Sequence, residues 1–489
     1  MLKSAKAALN ICMVLSLVLF GWTTISILLF PYGVDYGEAP LIDQARRIQN
    51  GEPLYKSDLS SPPYIIANYT PIYPLTVAAV DSILPLPPFQ IGRAISWVSA
   101  ILCAVVINAL GAKLSGNRLA GLLAATLFLG HPYVMLWSSL ARVDVLGLAF
   151  SLLAIYIVFK KWQSPVWLLV SVFFFLAAVY TRQTFLLAGP LACCAWLWYK
   201  NRRQFFIFLG SFCFTGLAIF FTLYIATNGG IYEHIILANL NRYDFARMIS
   251  MGGYFLVLWP VILGLSIFSI SYAIKQFKGA RQKQQDATDE PAFLAYGWSA
   301  YTAGALVSAA TVGKVGSDVN YFLELIVAGT IWAVVLLKLF TSSLDRKYQF
   351  LHVLLVLQLV WLLACGYLLN QTTIARQWER LEWYDDLYAQ VQAAVTQGIV
   401  LSDDYLDMVV MAGQPIYYQP FEYGQLYHAG LWDAEQLSAE ISSQRFPLIL
   451  IGGDCLDKPC CWSPQLVQAI EEHYEIIPYP QLLLCRPSP

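Results

Sequence analysis

Apolar stretches of about 20 residues, the length a helix needs to cross the hydrocarbon core at 1.5 Å per residue, recur between residues 8 and 369. A chain carrying many of them cannot cover that surface in water. Of the 489 residues, 58% are hydrophobic and 12% charged, against roughly 45–50% and 25% in soluble domains. The chain therefore reads as a polytopic integral membrane protein. Its net charge of -1 points to no nucleic-acid partner. The first stretch, 8–30, is too long for a signal-peptide core and precedes no small-residue cleavage site, so a retained helix is expected, with Lys3 and Lys6 in the cytoplasm.

From that start about eleven spans follow, over 8–30, 92–112, 118–138, 144–160, 165–181, 184–199, 204–226, 252–274, 293–312, 321–340 and 349–370. Positive charge tests this count, because cytoplasmic loops are enriched in Lys and Arg. Lys113 and Arg118, Lys160 and Lys161, Lys200, Arg202 and Arg203, Lys275, Lys278, Arg281 and Lys283, and Lys338, Arg346 and Lys347 all fall in loops assigned inside. The segment 72–86 is short, contains Asp81 and is bounded by prolines. If it crossed, every later loop would invert, so it is placed at the outer surface or as a re-entrant segment.

This topology gives a membrane domain over 1–370, with a first outer loop at 31–91. A soluble α/β domain over 371–489 lies on the extracytoplasmic side. Its pattern predicts a helix over 374–397, a strand at 399–402, helices at 416–419 and 433–443, and a buried strand at 448–451. Of the ten cysteines, Cys455, Cys460, Cys461 and Cys485 fall in this domain, where an oxidising compartment would pair at least two of them. The same topology collects ionisable and polar residues on one face: Asp35 and Glu38, Arg142 and Asp144, Arg182 and Gln183, Arg242 and Asp244, and Lys314, Asp318, Asn320, Tyr321 and Glu324. Charge at a membrane tends to mark function. Tyr32, Tyr36, Tyr55, Tyr64, Tyr69 and Tyr73 crowd the first outer loop, as interface anchors or as platforms for a sugar ring.

Asp35 and Glu38, three apart where the first span ends, offer a carboxylate that could take a proton from a hydroxyl, or could cap the helix that GEAPLIDQARRIQ begins. The order VDYGE, then GEPLY at 51–55, YTPIYPL, and ARVDVLGLAF with its Asp144 at the head of a span resembles the GT-C glycosyltransferases, among them protein mannosyltransferases and aminoarabinose transferases. The segments GKVGSDVNYFLE and LSDDYLDMVVMAGQPIYYQPFEYGQL look like bacterial members of the same superfamily. The resemblance is good over roughly 1–200 and loose beyond.

The resemblance implies a GT-C-like helical membrane fold, placed in a bacterial plasma membrane. It further implies transfer of a sugar from a polyprenyl-phosphate donor to a lipid, glycan or protein acceptor at the outer face. Asp35, Glu38 and Asp144 would then be catalytic, with Asp35 as base and inversion at the anomeric carbon. Arg142, Arg182, Gln183, Arg242, Lys314, Asp318, Asn320, Tyr321 and Glu324 would bind substrate, since a departing phosphate needs cations aimed at it and Arg can grip it with two hydrogen bonds. Asp144 could orient the acceptor or share a divalent cation with Asp35, although no HExxH, DxD or Cys-pair spacing stands near these acids. Two other classes fit the composition. A secondary transporter would place its polar groups at the midplane of repeated halves, and a noncatalytic envelope-assembly protein would need no acid pair. The outer domain, with no recognisable acid–base pair, is expected to cover the site or select the acceptor, so donor hydrolysis should survive its removal better than transfer.

Overall fold

The computed structural model describes residues 2–84, 86–282, 289–338, 346–452 and 461–489. Helices occupy each segment expected to span. Those long and apolar enough to cross unaided are five among the described residues, Ala5–Leu29, Pro88–Ser115, Arg202–Ala226, Val319–Lys338 and Gln349–Glu379. A bent pair, Phe245–Leu258 and Pro260–Lys275, brings the number to six if it is counted as one span. The structure thus establishes a multi-pass helical bundle without establishing about eleven separate crossings.

The shortfall has local causes. The expected span at 118–138 divides into Arg118–Leu129 and Pro132–Trp137, because Pro132 lacks the N–H that would continue the helix. The bundle packs closely where small residues meet. A Cβ on Gly121 of the helix Arg118–Leu129 would come within 2.3 Å of the Asn108 carbonyl in the helix Pro88–Ser115, so glycine is what lets the two backbones touch.

The expected span at 252–274 turns by 89° between Leu258 and Pro260. Such a corner frees backbone groups that apolar surroundings cannot satisfy. Gln358, 1% exposed, satisfies both sides: its Oε1 accepts from the Val261 N–H at 3.1 Å and its Nε2 donates to the Leu258 carbonyl at 2.9 Å. Trp361 donates to the Val257 carbonyl at 2.9 Å. The arm before the corner, Phe245–Leu258, exposes Phe245, Ile249, Tyr254, Leu256 and Val257. That pattern suits a helix lying along the membrane surface.

The C-terminal part carries a four-stranded sheet of β1 (Val400–Ser402), β2 (Leu448–Gly452), β3 (Tyr474–Tyr479) and β4 (Leu482–Pro487) in the order β1-β2-β4-β3. β1 and β2 run parallel, with Leu401 opposite Ile449, and β4 pairs antiparallel with both β2 and β3. The expected strands at 399–402 and 448–451 are present, as are the helices near 374–397 and 433–443. The expected helix at 416–419 is a correction: these residues are extended, Tyr418 bridges in parallel to Tyr64, and the helix starts at Pro420, whose fixed φ suits a first helical turn. Cys485 is buried on β4. Cys455 and Cys460 lie outside the described residues, and with them most of the expected pairing.

This domain is not a detached appendage. The Tyr64 N–H donates to the Tyr417 carbonyl at 2.6 Å and the Gln419 N–H donates to the Tyr64 carbonyl at 2.9 Å. Tyr64 and Ile66 are buried with Tyr418, Tyr423 and Trp432, and Phe30 and Tyr32 with Tyr384, Leu387 and Val391. The first outer loop is therefore part of the C-terminal domain's core.

Candidate active site

The turn leaving the first span is clamped from below. Glu38, fully buried at the start of the helix Glu38–Gln49, receives Arg93 Nε and Nη2 at 2.9 Å each, and the backbone N–H groups of Val34 and Ala141 at 2.7 Å each. Arg93 spends its remaining donors on the carbonyls of Ile27, Phe30 and Tyr32. Burial pushes the Glu38 carboxyl up, but the Arg93 guanidinium and the N–H donors together hold it below the usual range. With its oxygens so occupied, Glu38 faces no cavity.

Held on that clamp, Asp35 projects into a more open place. Its Oδ1 lies 3.1 Å from Arg142 Nη1 and accepts from the Gly37 N–H at 3.0 Å. Burial, opposed by Arg142 and reinforced by Glu38, raises its proton affinity above the carboxylate norm. Gly37 leaves the space that the Arg142 guanidinium fills, since a Cβ would lie 1.2 Å from its Nη1. Arg142 also lies over the Tyr69 ring at 5.8 Å and donates to the Tyr69 hydroxyl at 3.2 Å.

Arg142, Arg182, Gln183, Lys314 and Tyr321 line one cavity of about 400 Å³. Arg182 is 4% exposed and stacks 4.4 Å from the centre of the Tyr321 ring. Behind it, Asp144 is fully buried and accepts from Arg182, from Trp137 Nε1 at 2.9 Å and from Asn320 Nδ2 at 2.9 Å. Lys314 sits on a loop tied to the segment before the surface helix, with the Val315 N–H donating to the Arg242 carbonyl at 2.9 Å and the Asp244 N–H to the Gly313 carbonyl at 2.7 Å. No carboxylate pairs with Lys314 among the described residues, and burial lowers its proton affinity.

The remaining candidates are placed elsewhere. Asn320 and Glu324 are buried behind Arg182, and Asn320 Oδ1 and Glu324 Oε1 have no hydrogen-bond partner among the described residues. Asp318 accepts from the Val319 N–H at 2.6 Å. Arg242 is exposed and borders a separate cleft beside Gln425 and His428. Asp35 borders a smaller cleft of about 140 Å³, with Gln377, Tyr384, Tyr405 and Asp407. Among the described residues no three His, Cys, Asp or Glu are grouped to hold a metal ion, and the oxygens of Asp144 are taken by donors.

Three residues of this region escape a reading of the sequence. Arg93 carries a signal, since a lone arginine inside an apolar run demands a buried partner. Asp407 and Glu422 fall in the segment LSDDYLDMVVMAGQPIYYQPFEYGQL, whose resemblance marks neither residue singly. Asp407 accepts from the Gly33 N–H at 2.9 Å, and Glu422 lines the 400 Å³ cavity.

The helical bundle with its C-terminal α/β domain has the fold of solved GT-C glycosyltransferases. Among solved structures it is similar to ArnT, an aminoarabinose transferase from Cupriavidus metallidurans bound to undecaprenyl phosphate, with TM-score 0.61 and 12% identity over 97% of each chain. It is also similar to the oligosaccharyltransferase AglB from Archaeoglobus fulgidus in complex with an inhibitory peptide and a dolichol-phosphate, with TM-score 0.54 and 11% identity over 99% of this chain and 74% of that one. A further structure of the Archaeoglobus enzyme holds Zn and sulfate. No sequence family and no curated protein matches the chain.

Proposed function

We propose that the chain is a membrane glycosyltransferase that moves a sugar from a polyprenyl-phosphate donor to an acceptor hydroxyl at the outer face, with inversion. The observation that carries this reading is the convergence of Arg142, Arg182 and Lys314 on one cavity beside Asp35. The fold likeness to two enzymes whose structures hold polyprenyl phosphates supports it.

In this reading Arg182 and Lys314 receive the donor phosphate, one as a planar fork and the other as a point charge. Asp144 and Tyr321 keep the Arg182 guanidinium in place, and Glu38 with Arg93 holds the turn that presents Asp35. The acceptor, a lipid, glycan or protein, approaches from the smaller cleft. Its oxygen attacks the anomeric carbon while the bond to the phosphate oxygen breaks. The hydroxyl proton passes to Asp35 and the bonding electrons leave with the phosphate, so one displacement inverts the centre. Arg242, on another cleft, has no part in the step, and none is routed through a divalent cation.

The test is consumption of a radiolabelled undecaprenyl-phosphate monosaccharide by the purified protein. Asp35→Asn keeps the shape and removes the base, so turnover should fall about 10²–10⁴-fold with donor binding retained. Near-normal turnover in Asp35→Asn, or a product with retained anomeric configuration, would overturn the mechanism.

A further inference from the structure

Glu422 differs from the acids above in coming from the C-terminal domain while lining the cavity that holds Arg142, Arg182 and Lys314. It stands in the first turn of the helix Pro420–His428, and three ties fix that turn. The Tyr36 hydroxyl donates to Glu422 Oε2 at 2.7 Å, Asn68 Nδ2 donates to Oε1 at 3.0 Å, and Gly316 lies so near the Phe421 ring that a Cβ would come within 2.8 Å of it. The first outer loop, the Lys314 loop and this helix thus meet around one carboxylate that is 8% exposed.

Burying a carboxylate is costly unless hydrogen bonds or charges compensate it. Burial raises the proton affinity of Glu422, opposed by the hydrogen bonds from Tyr36 and Asn68 and by the charge of Arg142, and no Lys or Arg forms an ion pair with it among the described residues. An ionised carboxylate accepts at about four positions, and the two donors above leave acceptor capacity beside the cavity. The same wall presents neutral amides: the Asn68 carbonyl accepts from Gln183 at 3.0 Å and from Asn239 at 3.2 Å, and both amides line the cavity. Charge is therefore divided within one space. Arg142 and Arg182 have carboxylates paired with them, Lys314 has none among the described residues, and Glu422 is a carboxyl group among neutral donors and acceptors with no basic partner among the described residues.

We propose that Glu422 recognises the transferred sugar, accepting hydrogen bonds from hydroxyls of a neutral ring while Arg182 and Lys314 hold the phosphate. This rests on the glycosyltransferase reading and adds the C-terminal domain to its donor site. Hydroxyls suit the carboxylate because Tyr36 and Asn68 already disperse its charge and its neighbours are amides. A site built to bond a hydroxyl discriminates strongly against an analogue lacking it.

The experiment uses the full-length protein with undecaprenyl-phosphate glucose, mannose and galactose, followed by single-deoxy analogues of the one consumed. Binding of undecaprenyl phosphate, which has no sugar, is measured alongside. Glu422→Gln should raise KM for the intact donor by about 10–100-fold, more than it lowers kcat, while binding undecaprenyl phosphate as the parent protein does. One deoxy analogue should lose a similar factor with the parent protein and nothing further with the variant. If the variant binds undecaprenyl phosphate as poorly as it binds donor, Glu422 shapes the cavity without reading the sugar, and the proposal falls. An unchanged KM, or a parent protein indifferent to every deoxy analogue, overturns the Glu422 assignment and leaves the glycosyltransferase reading standing. A parent protein that consumes no such lipid but consumes an amino-sugar donor overturns the neutral class alone, and one that consumes neither overturns both readings.

Discussion

Each carboxylate near the site is defined by what donates to it. Glu38 is saturated by Arg93 and three backbone N–H groups, whereas Asp35 keeps an edge toward a cleft. Because burial raises the proton affinity of Asp35 and a base must be ionised, kcat/KM should rise with pH through a value above the ordinary carboxylate range. Asp35→Asn should abolish that limb in a pH–rate profile. Asp407 carries a stability consequence instead. Burial pushes its pKa to about 7, above the value of about 3.9 expected unfolded. Its contribution to stability is then complete below about pH 4 and lost as pH rises through about 7. Each tenfold difference in proton affinity is worth about 1.4 kcal/mol. Asp407→Asn, whose amide oxygen can still accept from Gly33, should therefore gain stability relative to the parent protein between pH 5 and pH 8. Melting curves of both proteins across that range check it, and an unchanged difference would show that Asp407 is ionised throughout.

Among the elements, the corner between Phe245–Leu258 and Pro260–Gln282 has the clearest physical account. A helix could not turn by 89° in apolar surroundings without partners for the freed backbone, and Gln358 is placed to supply both a donor and an acceptor. Gln358→Leu keeps the bulk and leaves two half-buried backbone groups without their partner, at no more than about 1–3 kcal/mol each. Melting temperature in detergent should fall, and donor KM should rise with it, since the segment leading into the surface helix also holds the Lys314 loop. A variant that melts like the parent protein would mean that other groups satisfy the corner.

At the scale of the whole molecule, the first outer loop and the C-terminal domain share a core, which alters the expectation drawn from composition. Truncation after Leu369 should abolish donor hydrolysis and transfer together, because Tyr32, Tyr64 and Ile66 lose the side chains that bury them and the cavity loses Phe421 and Glu422. Hydrolysis surviving in a folded truncated protein would restore a divided role. Orientation is checked separately: a cysteine introduced beside Lys314 should react with an impermeant reagent in intact cells, and reaction only after the cytoplasm is opened would reverse the topology. What the sequence by itself determined is what local pattern and solvation control. Long apolar runs require helices in lipid, alternating basic loops predict an orientation for them, and the strands at Val400–Ser402 and Leu448–Gly452 follow from short apolar runs between helices. The gathering of charged residues from separate loops, Arg142, Arg182 and Lys314 on one cavity with Asp35 paired to Arg142, was legible for the same reason. The sequence did not separate Asp35 from Glu38, three residues away, because their difference is Arg93, 55 residues from Glu38 and reached only by folding. Nor did it reveal Glu422, whose place depends on contacts with Tyr36 and Asn68, each more than 350 positions away. Which lone pairs remain open at a site is decided by those distant donors, and only the tertiary structure brings them together.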